Sequence, residues 1–452
     1  MDEKHPRGGE TVPTGSLYDA ETPEEIRRRY GLLAEGLSWK GGFPAEFAPE
    51  RGNLRFFSAP GRTELGGNHT DHNRGRMLAA AVHLDMAAAV AARDDRLVFL
   101  RSAGFPDTVV DLGGGKTGLS PRPEERGTAA ALVRGVAAGF AARGVAVGGF
   151  AANVSSRVPL GSGLSSSAAL ETLLGRIFDG LYCPGRFSPM ELARIGMEAE
   201  NVFFGKPCGL MDQAACAHGG TVAMDFSACS SSGDPAAESV AFDPAAAGFA
   251  LCVVDTGGNH ADLTQDYAAI LAEMGEVARF FGKSLLCDLD LSRVLAHAPA
   301  IRRAAGDRAL LRAVHFFGEN RRVAQMAALL DESGAAKDPA EKRHVMERFL
   351  DAVNESGHSS WELLQNVYSP GTPGRQGLSL ALAASVEYFR ETGAKAACRV
   401  HGGGFAGTVQ AYVPAEALDG YRARMEALFG PGSLTVLRIR SAGAVEVNPE
   451  GG

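Results

Sequence analysis

Residues 158–171 read VPLGSGLSSSAALE. Glycines 161 and 163 permit close backbone approach, and the serines that follow open a segment with Leu170, Leu173, Leu174, Ile177 and Leu181. That spacing is helical. Exposed N–H groups and the positive end of a helix therefore meet at a glycine turn, a place suited to an anion. A serine-capped helix after a plain turn is the alternative. No Gly-Lys-Ser/Thr follows, so this is not a Walker loop. No G-x-S-x-G frames the serines either, so a hydrolase elbow fits badly.

Outward from this stretch, strands and helices intermix. A charged helix is expected across ETPEEIRRRYGLLAEGL, with Thr22 as N-cap and Glu24 and Glu25 in its first turn. LRFFSA, AAAVAA and RLVFLRS read as short strands, the last two flanking a turn at RDD. GTAAALVRGVAAGFAARG reads as an apolar helix closed by Gly144, and VGGFAANVSS returns to strand. TVAMDF and FALCVVDT follow as strands, separated by the linker-like SACSSSGDPAAESVAFDPAAAG. Residues from about 260 to 390 read as helical, and TVQAYVP as a final strand. The pattern predicts two α+β domains, 22–245 and 246–452, behind a loose tail of residues 1–21.

Three further readings bear on chemistry. APGRTELGGNHTDHNRG (59–75) crowds His69, Asp71, His72, Arg62, Glu64 and Asn68 between glycines, with little apolar material to build a core. ENVFFGKPCGLMDQ places Asp212 in a mostly apolar setting, where a carboxylate needs a partner or serves as a base. On this segment alone, an aspartate paired to a structural arginine is the stronger reading. RVHGGGFAGTVQAYV leads a triple glycine into a strand and is by itself a tight turn. His69, Asp71 and His72 offer three metal ligands, but no fourth stands at zinc-type spacing and no H-E-x-x-H occurs.

The bulk properties narrow the classes. The chain has 452 residues, 45% of them hydrophobic and 22% charged, as folded globular proteins have. A net charge of −8 without a long basic run argues against nucleic acid as the main partner. Seven scattered cysteines with no C-x-x-C suggest reduced thiols in the cytosol. The N-terminal residues lack the apolar core of a signal peptide, and no apolar run reaches the length of a membrane span.

Taken in order, the three glycine-rich clusters resemble the motifs of the GHMP small-molecule kinases. The 59–75 stretch is similar to the galactokinase signature APGRVNLIGEHTDYNGG, and the segments VHLDMAAAVAARDDRLVFLRS, HFFGENRRV, NESGHSSW and GGGFAGTV are also similar to galactokinase segments. The resemblance covers residues from about 50 to 445. It implies an N-terminal ribosomal-protein-like α/β domain, a ferredoxin-like C-terminal domain and an active site between them. It further implies transfer of phosphate from ATP to the anomeric hydroxyl of a sugar, with Mg²⁺. By matching positions, Asp212 faces the attacking hydroxyl and Arg62 pairs with it. Ser167 and Glu200 reach the metal. Pro159, Gly161, Gly163, Leu164, Ser165, Ser166, Ser167 and Ala168 hold ATP. Glu64, Asn68, His69, Asp71 and Tyr267 meet the sugar.

The chain departs from the pattern at several positions. The family Glu before His-Thr-Asp is Asn68, and the family Asn four residues earlier is Glu64, so the two types have traded places. An offset of four returns to the same face of a strand, so the pair can exchange roles across one small space. The family tyrosine is His72, the family Ile-Gly is Gly66-Gly67, and Ala406 replaces a glycine. Galactose is the expected substrate. A sugar 1-kinase for a uronic acid or amino sugar, or a sugar and ATP sensor without turnover, is the alternative. The intact Ser165-Ser166-Ser167-Ala168 run, Glu200 and Asp212 count against the sensor.

Overall fold

The computed structural model describes residues 11–18, 21–38, 43–45, 47, 54–115, 117–159, 161–227, 235–258 and 263–449. Its strands are β1 (Thr11–Pro13), β2 (Arg55–Gly66), β3 (Arg76–Arg93), β4 (Leu97–Ser102), β5 (Thr108–Asp111), β6 (Gly149–Ser156), β7 (Thr221–Asp225), β8 (Ala236–Val240), β9 (Phe249–Asp255), β10 (Ala397–Val400), β11 (Thr408–Pro414), β12 (Leu434–Leu437) and β13 (Val445–Asn448). The larger sheet runs β1-β13-β2-β3-β6-β4-β5, with β7 and β8 continuing from β3.

β3 is alanine-rich and by propensity alone favours helix. It forms a strand because both its faces are buried and small side chains pack closely there. Leu78, Ala80, Val82, Ala88 and Val90 enter the main core, while Ala87 and Ala89 enter a second core on the opposite face. The main core is closed by helices α2 (Ala129–Ala142), α3 (Ser166–Tyr182) and α4 (Pro189–Glu198). The opposite face is covered by α1 (Pro23–Gly36), whose N-cap is Thr22 as the sequence predicts, and Thr22 also closes a capping box with Glu25.

The smaller sheet is antiparallel in the order β10-β11-β9-β12, which is second, third, first and fourth along the chain. This is the ferredoxin-like arrangement expected of the second half. Helices α11 (Gly377–Thr392) and α12 (Leu418–Phe429) pack on it. The predicted helical stretch between β9 and β10 also includes α6 (Thr264–Phe280), α7 (Leu291–Ala296), α8 (Ala298–Ala305), α9 (Asp307–Ala335) and α10 (Pro339–Ser359). A short helix α5 (Met211–His218) precedes β7.

Four expectations need correction. TVQAYVP is not the final strand: β12 and β13 follow, and β13 pairs with β2 in the larger sheet. A cut at residue 245 therefore leaves one C-terminal strand with the N-terminal sheet. Residues 11–18 are not a loose tail, because Thr11–Pro13 pair with β13 and Leu17 and Tyr18 are buried. Tyr18 donates its hydroxyl to Asp85 at 2.5 Å, tying this segment to β3. Residues 1–10 lie outside the described residues. The serine-rich linker contains β8, an edge strand that pairs with β7 and is exposed except at Val240, and its residues 228–234 lie outside the described residues. The 59–75 stretch, expected to build little core, begins as buried strand through Gly66.

Candidate active site

The site forms where β2 slips register. Pairing with β3 shifts between Pro60 and Arg62, a β-bulge that re-aims the arginine. Arg62 donates its backbone N–H to Leu164 O at 3.0 Å and its Nη1 to Gly163 O, so the strand grips the glycine-serine loop twice. Its Nε and Nη2 then reach Asp212 Oδ1 and Oδ2 at 2.7 and 2.9 Å. Asp212 lies in the first turn of α5, where the helix end favours a negative charge. Burial pushes the Asp212 pKa up, but the Arg62 charge and hydrogen bonds, with Ser165 and Lys206, bring it below the usual carboxylate range. The carboxylate is ionised at neutral pH. Arg62 is only 6% exposed in its side chain while Asp212 is 28% exposed, so the acid forms the open end of the pair.

The loop itself turns through left-handed backbone at Gly161 (φ 72°) and Gly163 (φ 70°). Ser165 shares that conformation at φ 57°, a strained one for a residue with a Cβ. Ser165 precedes α3 but caps nothing; its hydroxyl donates instead to Asp212. The serine-cap alternative therefore fails, because the serine is spent on the acid. Ser166 and Ser167 stand half-buried in the first turn of α3. Leu164 and Ala168 are buried and contribute backbone rather than side chain. Pro159 is exposed, and its carbonyl accepts from Ser162 Oγ at 2.7 Å.

Glu200 sits in a π-helical turn, Ala199–Phe204, that follows α4. It is buried, its Oε1 accepting from Lys206 Nζ at 3.1 Å and its Oε2 from Gln213 Nε2 at 3.0 Å. Gln213 Nε2 also donates to Glu171 Oε2 at 2.9 Å. Burial and the neighbouring Glu200 charge push the Glu171 pKa well up. Glu171 Oε1 and Gln213 Oε1 are buried without a hydrogen-bond partner. Among the described residues no three or more His, Cys, Asp or Glu side chains converge on a metal position.

The other predicted residues gather at the junction of β2 with the smaller sheet. Glu64 accepts from Arg399 Nη2 and, at 3.1 Å, from Asn68 Nδ2. Burial raises the Glu64 pKa, with Arg399 and Arg62 pulling against it. Asn68 is fully buried: its Nδ2 also donates to Gly402 O at 2.6 Å, and its Oδ1 accepts from Asn366 Nδ2 at 2.7 Å. The traded pair are thus direct neighbours. His69, at φ 56°, donates from Nε2 to Gly403 O at 2.8 Å and stacks on Tyr267, with ring centroids 6.3 Å apart. Burial lowers the His69 pKa to about 4. Tyr267 donates to Gly404 O at 3.0 Å. Asp71 accepts from the His72 backbone N–H at 2.9 Å, and a Cβ on Gly209 would collide with its carboxylate.

Sequence reasoning missed several residues. Thr408 Oγ1 donates to Ser162 O at 3.0 Å, so it accepts from His401 Nδ1, and His401 Nε2 accepts from Thr63 Oγ1 at 3.0 Å. This chain joins strand β2, the third glycine cluster and the glycine-serine loop. Gln410, Arg399, Lys206 and Gln213 are further partners that sequence reasoning does not single out, although all four lie within RVHGGGFAGTVQAYV and ENVFFGKPCGLMDQ.

Residues 131–220 match the GHMP kinases N terminal domain, and residues 42–92 the galactokinase galactose-binding signature. The galactokinase of Streptomyces coelicolor is 32% identical over 432 residues, covering 95% of this chain and 97% of that protein. The galactokinase of Bacillus subtilis is 38% identical over 186 residues, 40% of this chain and 45% of the relative. In structure, Lactococcus lactis galactokinase complexed with galactose superposes with a TM-score of 0.73 at 22% identity, over 92% of this chain and 99% of that one. Methanococcus jannaschii mevalonate kinase gives 0.57 at 13% identity, over 86% and 99%. The last two establish a shared fold, the two-domain GHMP kinase fold.

Proposed function

The chain belongs to the galactokinase family of GHMP kinases, and on that premise we propose how it phosphorylates galactose with ATP at the anomeric hydroxyl, giving galactose 1-phosphate. The observation that carries the reading is the Arg62–Asp212 fork, closed against Ser165 and Gly163 O of the phosphate loop. Phosphoryl transfer passes through a loose transition state, so catalysis comes chiefly from positioning and charge. Asp212, held ionised by Arg62, accepts or orients the hydroxyl proton. Arg62 offsets charge that develops nearby. Gly161, Gly163, Leu164, Ser165, Ser166, Ser167 and Ala168, with Pro159 beside them, turn backbone amides and the α3 terminus toward the ATP phosphates. Glu64, Asn68, His69, Asp71 and Tyr267 line the sugar side, with Glu64 and Asn68 exchanging the family's roles.

Mg²⁺ fits this donor set: a hard cation that keeps water and phosphate ligands needs only one or two protein oxygens. Ser167 and Glu200 would supply those oxygens, and Glu171 Oε1 and Gln213 Oε1, on side chains joined to Glu200 through Gln213 Nε2, are buried polar atoms without partners. When bound, the ion neutralises phosphate charge. The same reading divides the chain into lobes 22–245 and 246–452 with the site between them, β13 being the exception. No helix among the described residues is long and apolar enough to cross a membrane. The free thiols Cys183, Cys208, Cys216, Cys252, Cys287 and Cys398 support a cytoplasmic setting. Coupled ADP release over a panel of monosaccharides tests the function. Galactose-dependent turnover is expected, and turnover with a uronic acid or amino sugar alone would replace it.

A further inference from the structure

The segment HFFGENRRV of α9 has no part in the chemistry above, yet it reaches the sugar side of the site. His315 and Glu319 are one helical turn apart and so share a face of α9, and both are fully buried. His315 Nε2 donates to Asn68 O at 2.9 Å. A carbonyl only accepts, so Nε2 carries the proton and Nδ1 accepts from Ser359 Oγ of α10 at 2.8 Å. Glu319 Oε1 accepts the Gly67 N–H at 3.0 Å and the Ser356 hydroxyl at 2.7 Å. Asn320 Oδ1 accepts the Arg76 N–H at 2.7 Å.

Every one of these bonds to the 67–76 loop goes to its main chain. The loop carries His69 and Asp71 and contains three left-handed residues, Gly67 at φ 98°, His69 at φ 56° and Arg74 at φ 54°. Such backbone persists only where its surroundings over-determine it. A buried carboxylate is costly unless fully hydrogen-bonded. Glu319 spends its bonds on the loop, on Ser356 and, at 2.8 Å, on Arg322 Nε.

We propose that His315, Glu319 and Asn320 are positioning residues that fix the backbone of residues 67–76 and thereby set His69 and Asp71 for the sugar; this rests on the reading that those two side chains meet it. A site is productive only when its supporting shell holds it to a fraction of an ångström. The clamp therefore acts on sugar affinity and leaves the ATP side alone.

Two histidine variants separate the two ends of the ring. His315→Gln reaches the Nε2 position and keeps a donor for Asn68 O, whereas His315→Asn reaches only toward Ser359. Asn320→Ala, at a half-buried position, frees the Arg76 N–H with little risk to folding. Two readouts are taken on the full-length enzyme: KM for galactose against KM for ATP, and amide hydrogen exchange of residues 66–76 without ligand. Losing one such bond should raise the galactose KM about tenfold in His315→Asn and Asn320→Ala, with His315→Gln within about threefold and ATP KM within about twofold throughout. Exchange in 66–76 should quicken in the first two variants. Unchanged galactose KM and exchange in both would overturn the clamp, as would a parallel rise in both KM values. Equal damage from Gln and Asn would reduce His315 to packing. If His315→Asn does not fold, Asn320→Ala decides. Wild type without galactose-dependent turnover would instead sink the functional reading, and the exchange data would still judge the clamp.

Discussion

Arg62 meets Asp212 through two hydrogen bonds, 2.7 and 2.9 Å, from a strand whose pairing slips just before it. The slip matters because a regular strand would send residue 62 to the other face, away from α5. The same arginine holds Leu164 O and Gly163 O, so the glycine-serine loop and the acid are located by one side chain and its backbone. Asp212→Asn should keep the shape and lose the charge. We expect kcat to fall about 10²–10⁴-fold, with binding of a non-hydrolysable ATP analogue close to wild type by calorimetry. A variant that keeps more than half of its turnover would remove Asp212 from the mechanism.

Ser167→Ala and Glu200→Gln address the metal. Each should raise the Mg²⁺ concentration needed for half-maximal rate while leaving the galactose KM nearly unchanged. Glu200→Gln carries a second effect, since its new amide would face Gln213 Nε2, which now donates to Glu200. Ser167→Ala is the cleaner of the two. Mg²⁺ titrations that match wild type in both variants would place the ligands elsewhere.

What was legible in the sequence is what is local. The Thr22 N-cap with Glu24 and Glu25 in the first turn, the helical spacing behind Ser166 and the TVQAYVP strand each depend on neighbours a few residues away. The site depends on partners far along the chain. Glu64 finds Arg399, Thr63 finds His401 and Arg62 finds Asp212. That is why 59–66 looked like polar surface when it is buried strand: its partners were out of view. β13 is not legible because four residues give too short a period to read, and the serine-cap alternative stays open in sequence because a cap and an αL residue look alike there. The α9 clamp did leave a signal, His315 and Glu319 at helical spacing, within a segment already seen to be similar to the family.

Buried imidazoles predict a pH dependence of stability. Burial depresses the pKa of His401 well below the ordinary value, with the Arg62 and Arg399 charges acting in the same direction. In the unfolded chain an imidazole titrates near 6.5. As pH falls below that, the unfolded state takes up a proton the folded state refuses, so stability is lost; above it the contribution is constant. Glu64 and Glu171 are shifted upward and oppose this trend, so the effect is read as a difference. Wild type should lose more urea resistance than His401→Gln between about pH 7 and pH 5. A stability gap between the two proteins that does not change with pH would refute the assignment.

The trade between positions 64 and 68 gives the most specific test. Asn68 Nδ2 lies 3.1 Å from Glu64 Oε1, and Arg399 supports the same oxygen. Glu64→Gln removes the charge that Arg399 pairs with, leaving a buried guanidinium uncompensated. The galactose KM should rise sharply. Asn68→Glu should also do harm, because two carboxylates would then share one buried space beside a single arginine. Glu64→Asn with Asn68→Glu restores the family order, keeps one acid and one amide in contact, and leaves Arg399 a partner. It should recover much of the activity lost in the single variants. A double-mutant cycle on kcat/KM measures that recovery as a coupling energy, expected at about 1–3 kcal/mol for residues in contact. Additive losses would show that the two side chains do not act on one sugar contact, and that the exchange at 64 and 68 serves the packing of β2 against Arg399 alone.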